Sequence, residues 1–109
     1  MGKGVLGGFE HHVLLAVLYL GDAGAYTVPV VDALEELTGR APAPAAVFTT
    51  LKRLEGRGLL RSSTERSPVG GRPRRLFFAE PAATDVLRDS RKALERLWER
   101  VPSLGESAS

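Results

Sequence analysis

The sequence contains no cysteine, so it can form neither a disulfide nor a thiolate-bound metal site, and this fits a reducing cytoplasm. Its longest apolar run, VLLAVLYL (Val13–Leu20), is far shorter than the roughly 20 residues that a transmembrane helix needs. The N-terminal segment shows no pattern typical of a targeting signal. We therefore expect a soluble cytoplasmic protein without membrane contact. The length of 109 residues indicates a single domain.

Groups that could carry catalysis do not form a recognisable set. The two histidines, His11 and His12, are adjacent, so on a helix their side chains point about 100° apart and cannot share a metal ion as an i, i+4 pair can. The segment VGGRP lacks the GK[ST] of a phosphate-binding loop, so its glycines are typical of a turn. We predict a protein that is not an enzyme and that uses no metal and no cofactor.

The chain does have an uneven distribution of charge. Its net charge is only +2, yet residues 40–75 carry nine of the 15 basic residues and only two acids, a local charge of +7. The basic residues of this segment are Arg40, Lys52, Arg53, Arg57, Arg61, Arg66, Arg72, Arg74 and Arg75. Basic charge concentrated in one third of a short chain predicts a surface for a polyanion.

The first part of the chain is predicted to form two helices. The segment Phe9–Leu20 is apolar on nearly every side, which is typical of a helix at the centre of a small domain, and Gly21 ends it. A second helix is predicted from Thr27, as its N-cap, to the C-terminal glycine Gly39. Four of its residues are predicted to face the core: Val30, Val31, Leu34 and Leu37.

A third helix is predicted from Pro44 to Arg57, ended by Gly58. Its apolar residues Val47, Leu51 and Leu54 have the i, i+4, i+7 spacing of one helix face. The remaining face is predicted to carry Thr49, Thr50, Lys52, Arg53 and Arg57.

The last part of the chain is predicted to form a hairpin and a long helix. The strands Leu59–Glu65 and Arg74–Ala79 flank a loop rich in proline and glycine. The helix covers Pro81–Val101, and its apolar side is spaced like a coiled-coil seam. The seam consists of Leu87, Ser90, Leu94, Leu97 and Val101.

Three helices followed by a two-stranded wing is the layout of a winged helix-turn-helix, in which the third helix enters the DNA major groove. We therefore predict a mainly α fold with a small β-hairpin wing. Residues 1–80 are expected to form the DNA-binding domain, residues 81–102 a dimerisation helix, and residues 103–109 a disordered tail.

Three segments, LGGFEHHVLLAVLYLGDAGAYTV, VFTTLKRLEGRGLL and GGRPRRLFF followed by EPAA, resemble the PadR family of bacterial transcriptional regulators. The resemblance spans about residues 6–101, with the motifs in the order and spacing of the family. It implies a winged-helix dimer, joined by the C-terminal helix and the partner's N-terminal helix, that binds an operator and usually represses a nearby gene.

The sequence departs from the family pattern at two positions of helix three. Phe48 replaces a family tyrosine whose hydroxyl resembles a phosphate-contacting group. Ala43 replaces the serine that usually caps this helix, and alanine has no side-chain oxygen for the exposed N–H groups. The resemblance therefore implies fewer polar contacts with DNA phosphates than in the relatives.

The layout and the resemblance together predict a DNA-binding site on helix three and the wing. Thr49, Thr50 and Lys52 are expected to contact the groove or phosphates, and Arg53 and Arg57 to lie closer to the backbone. The wing is expected to contact phosphates through Arg66, Arg72, Arg74 and Arg75.

The long last helix predicts a homodimer, with an interface made of Leu87, Leu94, Leu97, Trp98 and Val101. Two roles stay open for Trp98. It is either an apolar anchor of the dimer or a wall of a pocket for a small hydrophobic or aromatic effector. The alternative to a DNA-binding regulator is a dimeric winged-helix module that binds proteins and has lost most of its DNA affinity, an interpretation favoured by Phe48 and Ala43.

Overall fold

The computed structural model describes residues 6–66 and 70–102, which form four α-helices and a two-stranded antiparallel sheet. In chain order these are α1 (Gly8–Leu20), α2 (Thr27–Thr38), α3 (Pro44–Gly56), β1 (Leu60–Glu65), β2 (Arg74–Ala79) and α4 (Pro81–Arg100). The predicted winged helix-turn-helix is confirmed. The predicted tail at residues 103–109 lies outside the described residues.

Glycine and proline set the boundaries of α2 and α3. Gly39 ends α2 in the left-handed conformation at φ 84°, and its N–H donates to the Glu35 carbonyl at 2.9 Å. Pro44 lies in the first turn of α3, where its missing N–H costs no helical hydrogen bond. The prediction for the start of α2 is wrong by one position, because Tyr26 is the N-cap and Thr27 already belongs to the helix.

The core lies between the three helices and the base of the wing. Its largest fully buried side chains are Val13, Leu14, Val17, Val30, Val47, Leu51, Leu54, Leu60 and Phe77. Leu37 does not join them, since it is 55% exposed. That prediction is wrong because the last turn of α2 extends beyond the packed helices, and residues 35–41 are all exposed.

The wing is anchored to the loop between α1 and α2. In the sheet, Leu60 pairs with Ala79 and Glu65 with Arg74. A further bridge joins Ala25 to Phe77 through two reciprocal backbone hydrogen bonds of 2.9 Å each. The base of the wing is therefore fixed to the helical core by backbone as well as by side chains.

Helix α4 is part of the core only over its first half. Ala83, Val86 and Leu87 are buried, with Leu87 7% exposed. Ser90 is half-buried, and its Oγ accepts a hydrogen bond from the Leu6 N–H at 3.3 Å. The prediction that Leu87 belongs to a dimer interface is wrong, because this side chain is already covered by its own chain.

Candidate nucleic-acid interface

Helix α3 has one face in the core and an opposite face that is exposed. Val47, Leu51 and Leu54 are completely buried, as the spacing predicts. The exposed positions of α3 are Pro44, Ala45, Ala46, Thr49, Lys52, Arg53 and Gly56. None of these side chains is acidic and most are small, so a polyanion can approach the backbone of this helix closely.

Thr50 does not lie on this exposed face. Thr50 is only 3% exposed. The prediction that Thr50 contacts a groove is wrong, because it follows Val47 by three residues and precedes Leu54 by four, which places it on the same stripe of the helix. Among the two neighbouring threonines, only Thr49 is available to a ligand.

Phe48 joins α3 to the base of the wing. It is half-buried and contacts Phe77 edge-to-face, with the ring centroids 6.3 Å apart. The Lys52 Nζ lies 5.2 Å from the centroid of the Phe48 ring, within range of a cation–π contact. Phe48 is therefore a packing residue whose ring also lies near the Lys52 ammonium.

The wing arginines differ in their surroundings. Arg66 and Arg72 are exposed and have no acidic partner within the described residues. Arg74 stacks on Tyr26 at 4.0 Å and reaches Glu65 at 3.8 Å, a loose surface pair of little energy. The Arg74 Nε is buried without a hydrogen-bond partner in the described part of the chain.

Two further predicted contact residues form closer ion pairs with carboxylates of their own chain. The Arg57 Nη1 lies 3.0 Å from the Glu10 Oε1, which also accepts the Gly7 N–H at 2.9 Å. The Arg75 Nη2 lies 3.2 Å from the Glu55 Oε1. A neutralised guanidinium contributes less to phosphate binding than a free one, because its field is largely cancelled at a distance.

Sequence reasoning missed the acidic residues at this surface. Glu10 is 47 residues from Arg57, and Glu55 is 20 residues from Arg75. No helical or strand spacing connects residues so far apart, so local patterns carried no signal for these pairs. Thr49, Lys52 and Arg53 share the exposed face of α3, whereas Thr50 is buried.

The second half of α4, with its C-cap residue Val101, carries an apolar surface that nothing in the described chain covers. This α4 patch consists of Leu94, Leu97, Trp98 and Val101, which are 52%, 64%, 70% and 48% exposed. Helix α1 exposes further apolar side chains at Leu15, Leu18 and Tyr19. Several exposed apolar side chains at helical spacing on one element are typical of an interaction site.

No group of three or more residues suited to a metal ion occurs in the described ranges, 6–66 and 70–102. Within the same ranges, no helix has both the length and the hydropathy to span a membrane. Among the histidines, burial lowers the pKa of His11 below its ordinary value, and the neighbouring His12 lowers it further.

No known protein-family model matches the sequence. The transcriptional regulator Rv3488 of Mycobacterium tuberculosis is 43% identical over 63 residues, which cover 58% of this chain and 57% of that protein. The match therefore spans little more than half the length of that relative.

Solved structures share the fold over most of the chain. A PadR-family transcriptional regulator from Eggerthella lenta has a TM-score of 0.67 and 24% identity, covering 80% of this chain and 74% of its own. BpsR of Bordetella bronchiseptica, whose DNA binding is regulated by 6-hydroxynicotinic acid, has a TM-score of 0.64 and 23% identity, covering 94% and 72%. Further PadR-family structures share the fold. The predicted resemblance to the PadR family is confirmed in the fold, and both Rv3488 and the Eggerthella lenta protein are transcriptional regulators.

Proposed function

We propose that this protein is a PadR-like transcriptional regulator in the cytoplasm, which binds duplex operator DNA as a homodimer and represses the gene beside it. One observation carries the proposal. Because Val47, Leu51 and Leu54 pack in the core, the outer face of α3 carries cationic and small side chains and no acidic ones. This face lies next to a wing that is rich in arginine. A helix of this kind fits the major groove, and the wing reaches the neighbouring backbone.

The residues divide by the contacts that their positions allow. Thr49 and Lys52 face the groove, and Arg53 faces the phosphates beside it. Arg66, Arg72 and Arg74 supply phosphate contacts from the wing. Arg57 and Arg75 contribute less, because each is held by a carboxylate at 3.0 and 3.2 Å respectively.

The α4 patch forms the dimer interface in this proposal, together with the exposed apolar side chains of the partner's α1. Residues 81–102 then serve as a dimerisation helix. The 20 residues of α4 make a rod of about 30 Å, which can set two copies of α3 about 34 Å apart, one turn of DNA. Two-fold symmetry then matches a palindromic operator.

A flat aromatic or hydrophobic molecule is the proposed effector, bound beside Trp98. Support comes from the 70% exposure of this indole and from BpsR, whose DNA binding responds to a small ring compound, 6-hydroxynicotinic acid. Stacking on an indole is a common mode for such rings. Bound at the α4 patch, the effector would change the distance between the two α3 helices and release the operator.

Binding to the DNA upstream of the protein's own gene, measured at two salt concentrations, tests this function. The double change Lys52→Ala and Arg53→Ala is expected to reduce affinity at least tenfold and to flatten the salt dependence by about two units of slope. Lys92→Ala, on the exposed side of α4, removes a charge outside the proposed interface and should leave the affinity within about twofold. A reporter under the same upstream region, with and without the protein, gives the sign of regulation.

Absent or salt-insensitive DNA binding by a protein that still dimerises would overturn the proposal in favour of the protein-binding module. That alternative rests on Phe48, turned toward Phe77, and on Ala43, which makes no side-chain cap at the start of α3.

A further inference from the structure

Glu55 joins the recognition helix to both strands of the wing. Its Oε2 accepts a hydrogen bond from the Ser62 Oγ at 2.7 Å, and its Oε1 accepts one from the Arg75 Nη2 at 3.2 Å. The Arg75 Nε donates in turn to the Ser62 Oγ at 3.1 Å. We call this closed ring of three side chains the Glu55 clamp.

The clamp lies where α3 and the wing would otherwise be free to separate. Glu55 is in the last turn of α3, Ser62 is in β1 and Arg75 is in β2. Ser62 pairs with Phe77 across the sheet, so both side chains lie on the sheet face that turns toward α3. Helix α3 and the wing are joined in the core by the Phe48–Phe77 ring contact and at the surface by the clamp.

The charges make the clamp stronger than an ordinary surface pair. The side chains of Glu55 and Arg75 are 29% and 45% exposed, so both are partly shielded from water. Each carboxylate oxygen has its own donor, and hydrogen bonds to a charged group are about twice as strong as neutral ones. A closed network also restricts the rotamers of all three side chains together.

We propose that Glu55 is a positioning residue for DNA binding, which fixes the angle of the wing against α3 and keeps the Arg75 charge from acting on phosphate. This inference rests on the proposed function. It assigns the wing two kinds of arginine: Arg72, free to bind phosphate, and Arg75, neutralised and structural. This role accounts for one of the two acids within the most basic segment of the chain.

Salt dependence separates the two kinds of arginine, because each phosphate contact that replaces a counterion adds about 0.9 to the slope of log K against log salt. The probe is a mixed-sequence duplex of about three helical turns. Arg75→Gln should leave the slope of the wild type unchanged, whereas the matched control Arg72→Gln should lower it by about one unit. Glu55→Gln should raise the slope by about one unit, because the freed Arg75 becomes a phosphate ligand.

Two further variants show whether the effect passes through Arg75. The double variant Glu55→Gln with Arg75→Gln should return the slope to that of the wild type. Ser62→Ala loosens the clamp without changing charge, so it should lower affinity about 2- to 10-fold at an unchanged slope, the effect of one hydrogen bond.

A lower slope for Arg75→Gln, or an unchanged slope for Glu55→Gln in a protein with wild-type circular dichroism, would overturn the inference while leaving the proposed function standing. A wild-type protein that binds no duplex would overturn both. The Arg75→Gln measurement needs no change at Glu55, so it decides the matter even if the Glu55 variants fold poorly.

Discussion

The Phe48 ring meets the Phe77 ring edge-on, with centroids 6.3 Å apart and ring planes inclined at 75°. Phe77 is completely buried, and its backbone also pairs with Ala25. Helix α3, the wing and the loop between α1 and α2 therefore meet at one residue, Phe77. We therefore expect changes at the two rings to separate stability from the proposed DNA binding, because Phe77 is inside the core and Phe48 is at its edge.

Phe77→Ala should lower the free energy of unfolding by about 3–5 kcal/mol, the range for a large side chain removed from a packed core. Urea denaturation followed by circular dichroism measures it. Phe77→Leu keeps most of the volume and should cost about 1.5 kcal/mol or less. A decrease in the free energy of unfolding of less than about 1 kcal/mol for Phe77→Ala would contradict the tight packing of this ring in the core.

Phe48→Tyr should raise the affinity for duplex DNA by about 2- to 10-fold, the worth of one added hydrogen bond. Phe48 lines a cleft together with Tyr26, Val28 and Arg74, so the new hydroxyl can reach the surface that carries the wing arginines. Fluorescence anisotropy with a labelled duplex measures the affinity. The control Phe77→Tyr places its hydroxyl in the core, where it should reduce stability by about 1–3 kcal/mol and add no affinity.

Gly24→Ala should destabilise the protein more than Gly21→Ala. Both glycines have positive φ, 92° and 87°, so alanine is strained at either by about 1–2 kcal/mol. A Cβ at Gly24 would also lie 2.5 Å from the Leu76 Cδ2, whereas one at Gly21 would meet nothing within 4 Å. Overpacking adds roughly 1–3 kcal/mol to the first variant only. Equal melting temperatures for the two variants would refute the close approach at Gly24.

Leu97→Asp should convert the proposed dimer to monomers, because it places a charge in the α4 patch. Light scattering coupled to gel filtration measures the mass. The control Leu37→Asp changes a leucine of similar exposure, 55% against 64%, on α2, and should remain dimeric. Trp98 is the single tryptophan of the chain, so its emission should also shift to longer wavelength in the Leu97→Asp monomer. A Leu97→Asp dimer of normal DNA affinity would exclude this interface.

Stability should fall as the pH drops below about 6.5, the ordinary pKa of histidine. Burial holds the pKa of His11 below that value in the folded chain, so the unfolded chain takes up this proton first. The contribution of neutral His11 to the free energy of unfolding is therefore complete above about pH 6.5 and is lost as the pH falls through the lowered pKa. Denaturant midpoints between pH 5 and 8 measure it. His11→Gln should flatten the profile, and His12→Gln, which removes only the smaller cause, should change it less.

The sequence by itself determined the element order and the face on which α3 packs. Helical spacing predicted that Val47, Leu51 and Leu54 face the core. Gly39 and Pro44 marked helix boundaries, because glycine readily adopts the left-handed conformation and proline lacks an N–H. These features depend on residues within a few turns of each other, so local pattern contains them. The segregated charge likewise pointed to α3 and the wing.

Only the tertiary structure decided which side chains remain available. The sequence pattern predicted that Thr50 and Leu87 are exposed, yet neighbouring elements bury both. Arg57 and Arg75 are basic residues in a basic segment, yet Glu10 and Glu55 neutralise them from 47 and 20 residues away. Burial and ion pairing depend on what the fold brings alongside a residue, and sequence spacing carries no record of that neighbour.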